Sequence, residues 1–327
     1  MIEKHKIEIP SYIDDRRPVS VKSMGNIKQI TISDRQNTGS TIKPLSKEQY
    51  LIVSTGEVKE VAHHAQDRTE NIRNLQKTMR NLRDLINTNI SPYNIRQVRF
   101  ITLTYQENMQ DAKRLYTDFR DFNKRFKRYI QKQFYLTYEY IICVEAQGRG
   151  AFHLHMIAIF SNAPPFIENA ILADIWRYGF VNIRALNNNI DNIGAYLTAY
   201  LTDLDIESGS PLTGDLLQGK IREVQTEQGE NKHIIKGGRL KLLPVGLNIY
   251  RCSRGIKKPL VEQMSYTDAL TVMADSGFKK TYESAIKIRD LERDFSSTYI
   301  NQIYKKHINK EFWCKGSEKA PTNKKQN

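Results

Sequence analysis

The chain has 327 residues, with 50 Lys+Arg against 36 Asp+Glu for a formal net charge of +14; 39% of residues are hydrophobic and 26% charged. That composition can bury a core, and no apolar run approaches the roughly 18 residues of a membrane helix. Three cysteines, Cys143, Cys252 and Cys314, are too few and scattered for a disulfide scaffold or a CxxC zinc module. They point to a reducing cytoplasm, and the first residues lack the apolar stretch of a secretory signal. The positive excess favours a polyanionic partner, nucleic acid before a membrane surface.

Residues 1–60 mix Gly, Ser, Thr and Asn with short apolar pieces and read as a variable N-terminal arm with a few strands. Over 61–94, Ile72, Leu75, Met79, Leu82 and Ile86 recur among Arg73, Lys77, Arg80 and Arg83. That spacing predicts a basic amphipathic helix, which Pro92 ends. The stretch 95–259 reads as one domain. Residues 98–104 are β-branched and aromatic, as a buried strand requires. A helix follows with Leu115, Phe119, Phe122, Phe126 and Tyr129 on one face. Residues 138–145 and 152–160 are strands joined by the turn Gln147-Gly148-Arg149-Gly150. A helix over 167–176, a strand over 179–186 and a helix over 191–203 come next. Residues 206–235, rich in Gly, Ser, Glu and Gln, read as a loop insertion. Residues 242–252 supply another strand, helices are expected over 260–314, and 315–327 is a polar tail expected to be disordered. Strands interleaved with helices, one tight hairpin among them, predict an α+β fold around a central antiparallel sheet.

His153 and His155 flank Leu154 within a predicted strand. Side chains alternate across a strand, so both imidazoles share a face while Phe152, Leu154 and Met156 share the other. A turn centred on Arg149 sets Glu145 directly opposite His153 and on the same face. Two imidazoles and a carboxylate leave positions open on a divalent ion, which suits a Lewis acid. His-x-His alone is a common chance match, and the carboxylate of matching parity tips the reading towards metal. Cys143 shares that parity, but a free cysteine packs as a small apolar residue.

Tyr196 and Tyr200 stand four apart on a predicted helix and so share a face. Aromatic pairs at that spacing usually pack against a core, and a phenol of pKa roughly 10 needs a polarised substrate or a nearby base to attack. Candidate phosphate contacts are Arg120, Lys124, Lys127 and Arg128 on the second helix, with Arg254, Lys257 and Lys258 after the last strand of the domain. Their attraction to a backbone of phosphates is electrostatic and weakens with salt.

Taken in order, Phe100-Ile101-Thr102-Leu103-Thr104, then Glu145 with Gly150-Ala151-Phe152-His153-Leu154-His155, then Tyr196-x-x-x-Tyr200 resemble the three motifs of HUH endonucleases. The likeness runs over about 97–203 and is nearest to the rolling-circle replication initiators of plasmids and phages. It implies a sheet of about five antiparallel strands with flanking helices. It implies metal ligands at Glu145, His153 and His155, a Mg²⁺ or Mn²⁺ ion, and a tyrosine nucleophile at Tyr196 with Tyr200 second. The implied activity is nicking and rejoining of single-stranded DNA at a replication origin through a 5′-phosphotyrosine. A host helicase and a polymerase are candidate further partners. Many relatives carry lysine three residues after the first tyrosine, where this chain has Ala199, and Asp203 holds the matching place after Tyr200. A conjugative relaxase or single-strand transposase would share the chemistry, and a non-catalytic DNA-binding module is the alternative from another class.

Overall fold

The structure is a computed structural model that describes residues 2–34, 42–46, 48–61, 72–147, 150–186, 193–202, 204–205, 221–225, 231–235, 243–244, 246–290 and 295–306. In chain order the elements are β1 (Ile2–Ile7), β2 (Pro18–Met24), β3 (Ile27–Ser33), β4 (Ile42–Pro44), β5 (Gln49–Ile52), β6 (Val58–Glu60), α1 (Ile72–Asn89), β7 (Val98–Leu103), α2 (Ala112–Phe134), β8 (Tyr138–Ala146), β9 (Phe152–Phe160), α3 (Asn169–Trp176), β10 (Val181–Ala185) and α4 (Ile193–Thr202). They continue with β11 (Leu204–Asp205), β12 (Ile221–Gln225), β13 (Asn231–Ile235), β14 (Tyr250–Cys252), β15 (Leu260–Ser265), α5 (Tyr266–Asp275), β16 (Phe278–Asp290) and β17 (Phe295–Lys306). No helix among the described residues is long and apolar enough to cross a membrane.

Two compact units divide the chain: a nested one, Arg35–Leu260, and a flanking one made of Met1–Asp34 and Val261–Asn327. The nested unit is built on a five-stranded antiparallel sheet in the order β10-β7-β9-β8-β14. Both of its faces are covered. On one, α2 and α3 set Leu115, Phe119, Phe122, Phe126 and Trp176 against Ile101, Leu103, Leu154, Met156 and Phe160. Asp111 starts α2 by accepting from the N–H groups of Lys113 (2.7 Å) and Arg114 (3.2 Å), which also holds its carboxyl below the usual range; such a cap meets donors the first turn leaves unpaired. On the other face, α1 and α4 bring Leu82, Ile86, Ile193 and Leu197 onto Val98, Phe100, Ile141, Cys143 and Ile157. Each such fully buried side chain contributes roughly 1.5–3 kcal/mol of burial.

α4 meets α1 closely. A Cβ on Gly194 would sit 2.5 Å from the Arg83 carbonyl oxygen and 2.7 Å from Asn87 Oδ1, so only glycine permits the approach. The Gly194 N–H donates to Asn87 Oδ1 at 2.9 Å, which supplies an acceptor for the start of α4.

The flanking unit carries the largest sheet, six antiparallel strands in the order β1-β16-β17-β3-β2-β15. α5 lays Ala269 and Met273 on Val19, Val21, Ile30, Ile32, Ala285 and Ile300. A single central sheet of about five strands is therefore corrected to two large sheets. Residues 2–33, read as part of an arm, supply three strands of the larger one. The helical reading of 260–314 is corrected as well: its described part holds one helix and the strands β15, β16 and β17. Ile300, Ile303 and Tyr304 fall at helical spacing, but long-range pairing with β3 and β16 overrides that local pattern. Within the insertion 206–235, β12 and β13 pair with each other. The strand expected over 242–252 shortens to β14, since Pro244 cannot donate to a ladder. The tail 315–327, Cys314, Ala199 beyond its backbone, and Asp203 lie outside the described residues.

Candidate active site

β8 and β9 form the hairpin on which the site stands. The Gln147 N–H donates to the Ala151 carbonyl at 2.8 Å, and the ladder runs Cys143↔His155, Val144↔Leu154, Glu145↔His153. That is the register a turn centred on Arg149 requires, although Gly148 and Arg149 lie outside the described residues. On the other side of β9, Thr102 of β7 pairs with His155. Parity then puts Phe100, Thr102, His155, Cys143 and Glu145 on the face covered by α1 and α4.

Glu145 and His155 are 4% and 2% exposed, and Nε2 of the imidazole and Oε2 of the carboxylate are joined by a short contact. The Thr102 hydroxyl lies 3.2 Å from His155 Nδ1, and the Phe100 ring stacks on the imidazole with centroids 5.3 Å apart. Burial, and after it the charge of Arg184, pushes His155 down to about 3, so the ring is neutral at neutral pH. A neutral ring that donates from Nε2 to Glu145 accepts at Nδ1 from Thr102. His153 is half-buried and faces Glu145 across the ladder. Among the described residues no three His, Cys, Asp or Glu side chains are grouped as a metal cage would group them. Cys143 belongs to the apolar cluster under α1 and α4, and burial pushes its thiol well above the ordinary range.

The donor set suits a divalent ion chemically. A ligating imidazole offers one nitrogen to the metal and needs an acceptor for its other N–H. Thr102 can fill that role, because its hydroxyl accepts from Nδ1–H as readily as it donates to Nδ1. Metal entry would displace the proton on Nε2 and leave the carboxylate of Glu145 as the second donor.

Tyr196 and Tyr200 have their backbone in α4, which rests against β8, the strand of Glu145. Their side chains lie outside the described ones. α4 is seated by Ile193 and Leu197, both buried, together with the Gly194 contact to α1.

The basic candidates lie elsewhere. Arg120, Lys124, Lys127 and Arg128 are exposed on α2, which covers the opposite face of the sheet. Arg120 Nε and Lys124 Nζ approach Asp121 at 3.3 and 3.7 Å, and Lys127 stands 5.7 Å over the Tyr138 ring. Arg254, Lys257 and Lys258 are exposed at the other end of the hairpin. There Gly255 N–H donates to Glu139 near the start of β8, and Asn89 of α1 holds Lys257 by both its N–H (2.9 Å) and its carbonyl (2.8 Å). Neither group is brought to Glu145 and His155.

Two residues of the site escaped the sequence reading. Thr102 orients His155; it is the polar position on a strand face that otherwise carries Val98 and Phe100, and parity could have found it. Arg184 of β10 pairs with Phe100 in the ladder and lies 5.0 Å over its ring, within electrostatic reach of His155.

No curated protein and no solved structure matches the chain. The family model for replication-associated proteins of the ORF2 type matches residues 98–205, from the first residue of β7 to the last of β11. That span holds Glu145, His153, His155, Tyr196 and Tyr200, and the match supports a replication initiator.

Proposed function

We propose that the chain is an initiator nuclease of the HUH type, which nicks and rejoins single-stranded DNA at a replication origin. The observation that supports it best is the joined Glu145–His155 pair on a buried face, with His153 opposite Glu145 and the tyrosine-bearing α4 against the same hairpin. Glu145, His153 and His155 would hold a Mg²⁺ or Mn²⁺ ion, whose chemistry is to polarise a phosphodiester oxygen.

The chain's own residues do the rest. Thr102 fixes the tautomer and direction of His155, while Phe100 and the packed helices keep water from the pair. The Tyr196 phenol loses its proton and its oxygen forms a bond to phosphorus as the bond from phosphorus to the leaving 3′ oxygen breaks. The products are a 5′-phosphotyrosine and a free 3′ hydroxyl. One ester replaces another, so the bond energy is kept for rejoining and no nucleotide triphosphate is consumed. Tyr200 is available for a second transfer.

The test is incubation with labelled single-stranded DNA and Mn²⁺, followed by a denaturing gel and mass spectrometry of the adduct. A DNA-linked peptide containing Tyr196, absent from the Tyr196→Phe protein, is the expected result. An adduct confined to Tyr200 would reverse the two roles, and no adduct on either residue would overturn the reading.

A further inference from the structure

β10 is the edge strand of the five-stranded sheet, and its ladder with β7 extends the rows of the site outward. Asn182 pairs with Thr102, which pairs with His155, so the three lie in one row. One step along, the Thr104 N–H and hydroxyl both donate to the Phe180 carbonyl, at 2.9 and 2.8 Å. This continues the ladder and sets Phe180 and Thr104 in the row of His153 and Glu145. Val181 and Ile183 pack with the aromatic cluster under α2 and α3. Phe180, Asn182 and Arg184 therefore belong to the face that carries the site. Phe180 is 78% exposed. Asn182 and Arg184 are exposed as well.

A lone exposed phenyl is ordinary on a protein surface. This one is held rigidly. Next to it, a Cβ on Gly179 would stand 2.6 Å from both the Thr104 carbonyl oxygen and the Gln106 N–H nitrogen, so the chain lies flat on β7 only because residue 179 is glycine. The Gln106 N–H then donates to the Tyr178 carbonyl at 2.9 Å. The result is an aromatic ring on a fixed backbone, in line with the site and followed at strand spacing by an amide and a guanidinium. Aromatic faces beside positive charge are how proteins hold unpaired bases.

We propose that β10 carries a base-stacking subsite for single-stranded DNA, in which Phe180 takes the face of one base and Asn182 and Arg184 take the polar groups and phosphate beside it. The inference rests on the nuclease reading and adds the surface that holds the strand.

The test is fluorescence anisotropy with a labelled oligothymidylate, without metal, so that binding is read apart from cleavage. Phe180→Ala weakens binding about tenfold, the size expected for one base on one ring. Phe180→Trp keeps the affinity, and the indole it introduces is quenched as oligonucleotide is added. Arg184→Gln lowers the slope of log affinity against log salt by about one phosphate contact. Phe166→Ala, at an equally exposed ring (85%) outside this face, leaves binding unchanged. Unaltered affinity in Phe180→Ala, or an unquenched indole at saturation, overturns the subsite; if that variant still forms the adduct, the nuclease reading stands. An unsubstituted protein that neither binds nor forms an adduct overturns both.

Discussion

The two faces of the five-stranded sheet are built from one set of strands and differ in what they bury. Under α2 and α3 the packing is aromatic: Phe122 stacks on Phe126 at 5.4 Å and meets Trp176 edge-on at 5.6 Å. Under α1 and α4 it is aliphatic, and at one end it gives way to Thr102, His155 and Glu145. Buried polar groups cost stability unless each finds a partner, and here they find one another. A sheet with both faces closed can thus assign cohesion to one and chemistry to the other. The division depends on parity alone, since each β9 residue on the dry face has a neighbour on the polar one.

The largest effect that would break this contrast is on the aromatic side. Phe122→Ala should cost about 3–5 kcal/mol of stability, read by denaturant unfolding, with nicking per folded molecule unchanged. On the other side, Glu145→Ala should cut nicking by about 10²–10³-fold. It should also abolish any rise in unfolding midpoint on adding Mn²⁺, with a far smaller loss in metal-free stability than Phe122→Ala. A large loss there would show that the polar end serves cohesion too. Gly194→Ala should destabilise by about 1–3 kcal/mol through overpacking against Arg83 and Asn87, and should lower adduct yield by displacing α4. The smallest effect belongs to the outer surface of α2. Arg120→Gln or Lys124→Gln should change stability by no more than about 0.5 kcal/mol, because both pairs with Asp121 are exposed. Neither should slow nicking, since α2 covers the face away from Glu145.

Much of the nested unit was legible from residue patterns. A short turn between two β-branched runs leaves few registers, so Glu145 opposite His153 followed from counting. Which imidazole meets the carboxylate did not follow. His155 is diagonal to Glu145, and diagonal contacts depend on sheet twist and on packing from α1 and α4, which no local pattern encodes. Phe180 was illegible for a related reason: a phenyl at the start of an alternating run reads as core until the edge position of β10 is known. The flanking unit misled most. Ala285 and Ile288, three apart, look like a helix face. A bulge between Lys280 and Tyr282 further shifts the parity of β16 midway, so strict alternation fails there as well.

The six-stranded sheet also bears on how the chain folds as it is made. β1, β2 and β3 emerge first, yet β17 lies between β16 and β3, and β1 pairs with β16. Those partners emerge only after the whole of Arg35–Leu260. Closing contacts over that sequence separation is slow, whereas the contiguous nested unit needs no later residue and can fold during synthesis. Until β16 and β17 arrive, β1 and an edge of β3 remain without their ladder partners, as open edges prone to pairing with other chains. A chain ending before Phe278 would keep that exposure permanently. It should aggregate even while its Glu145–His155 face is fully formed.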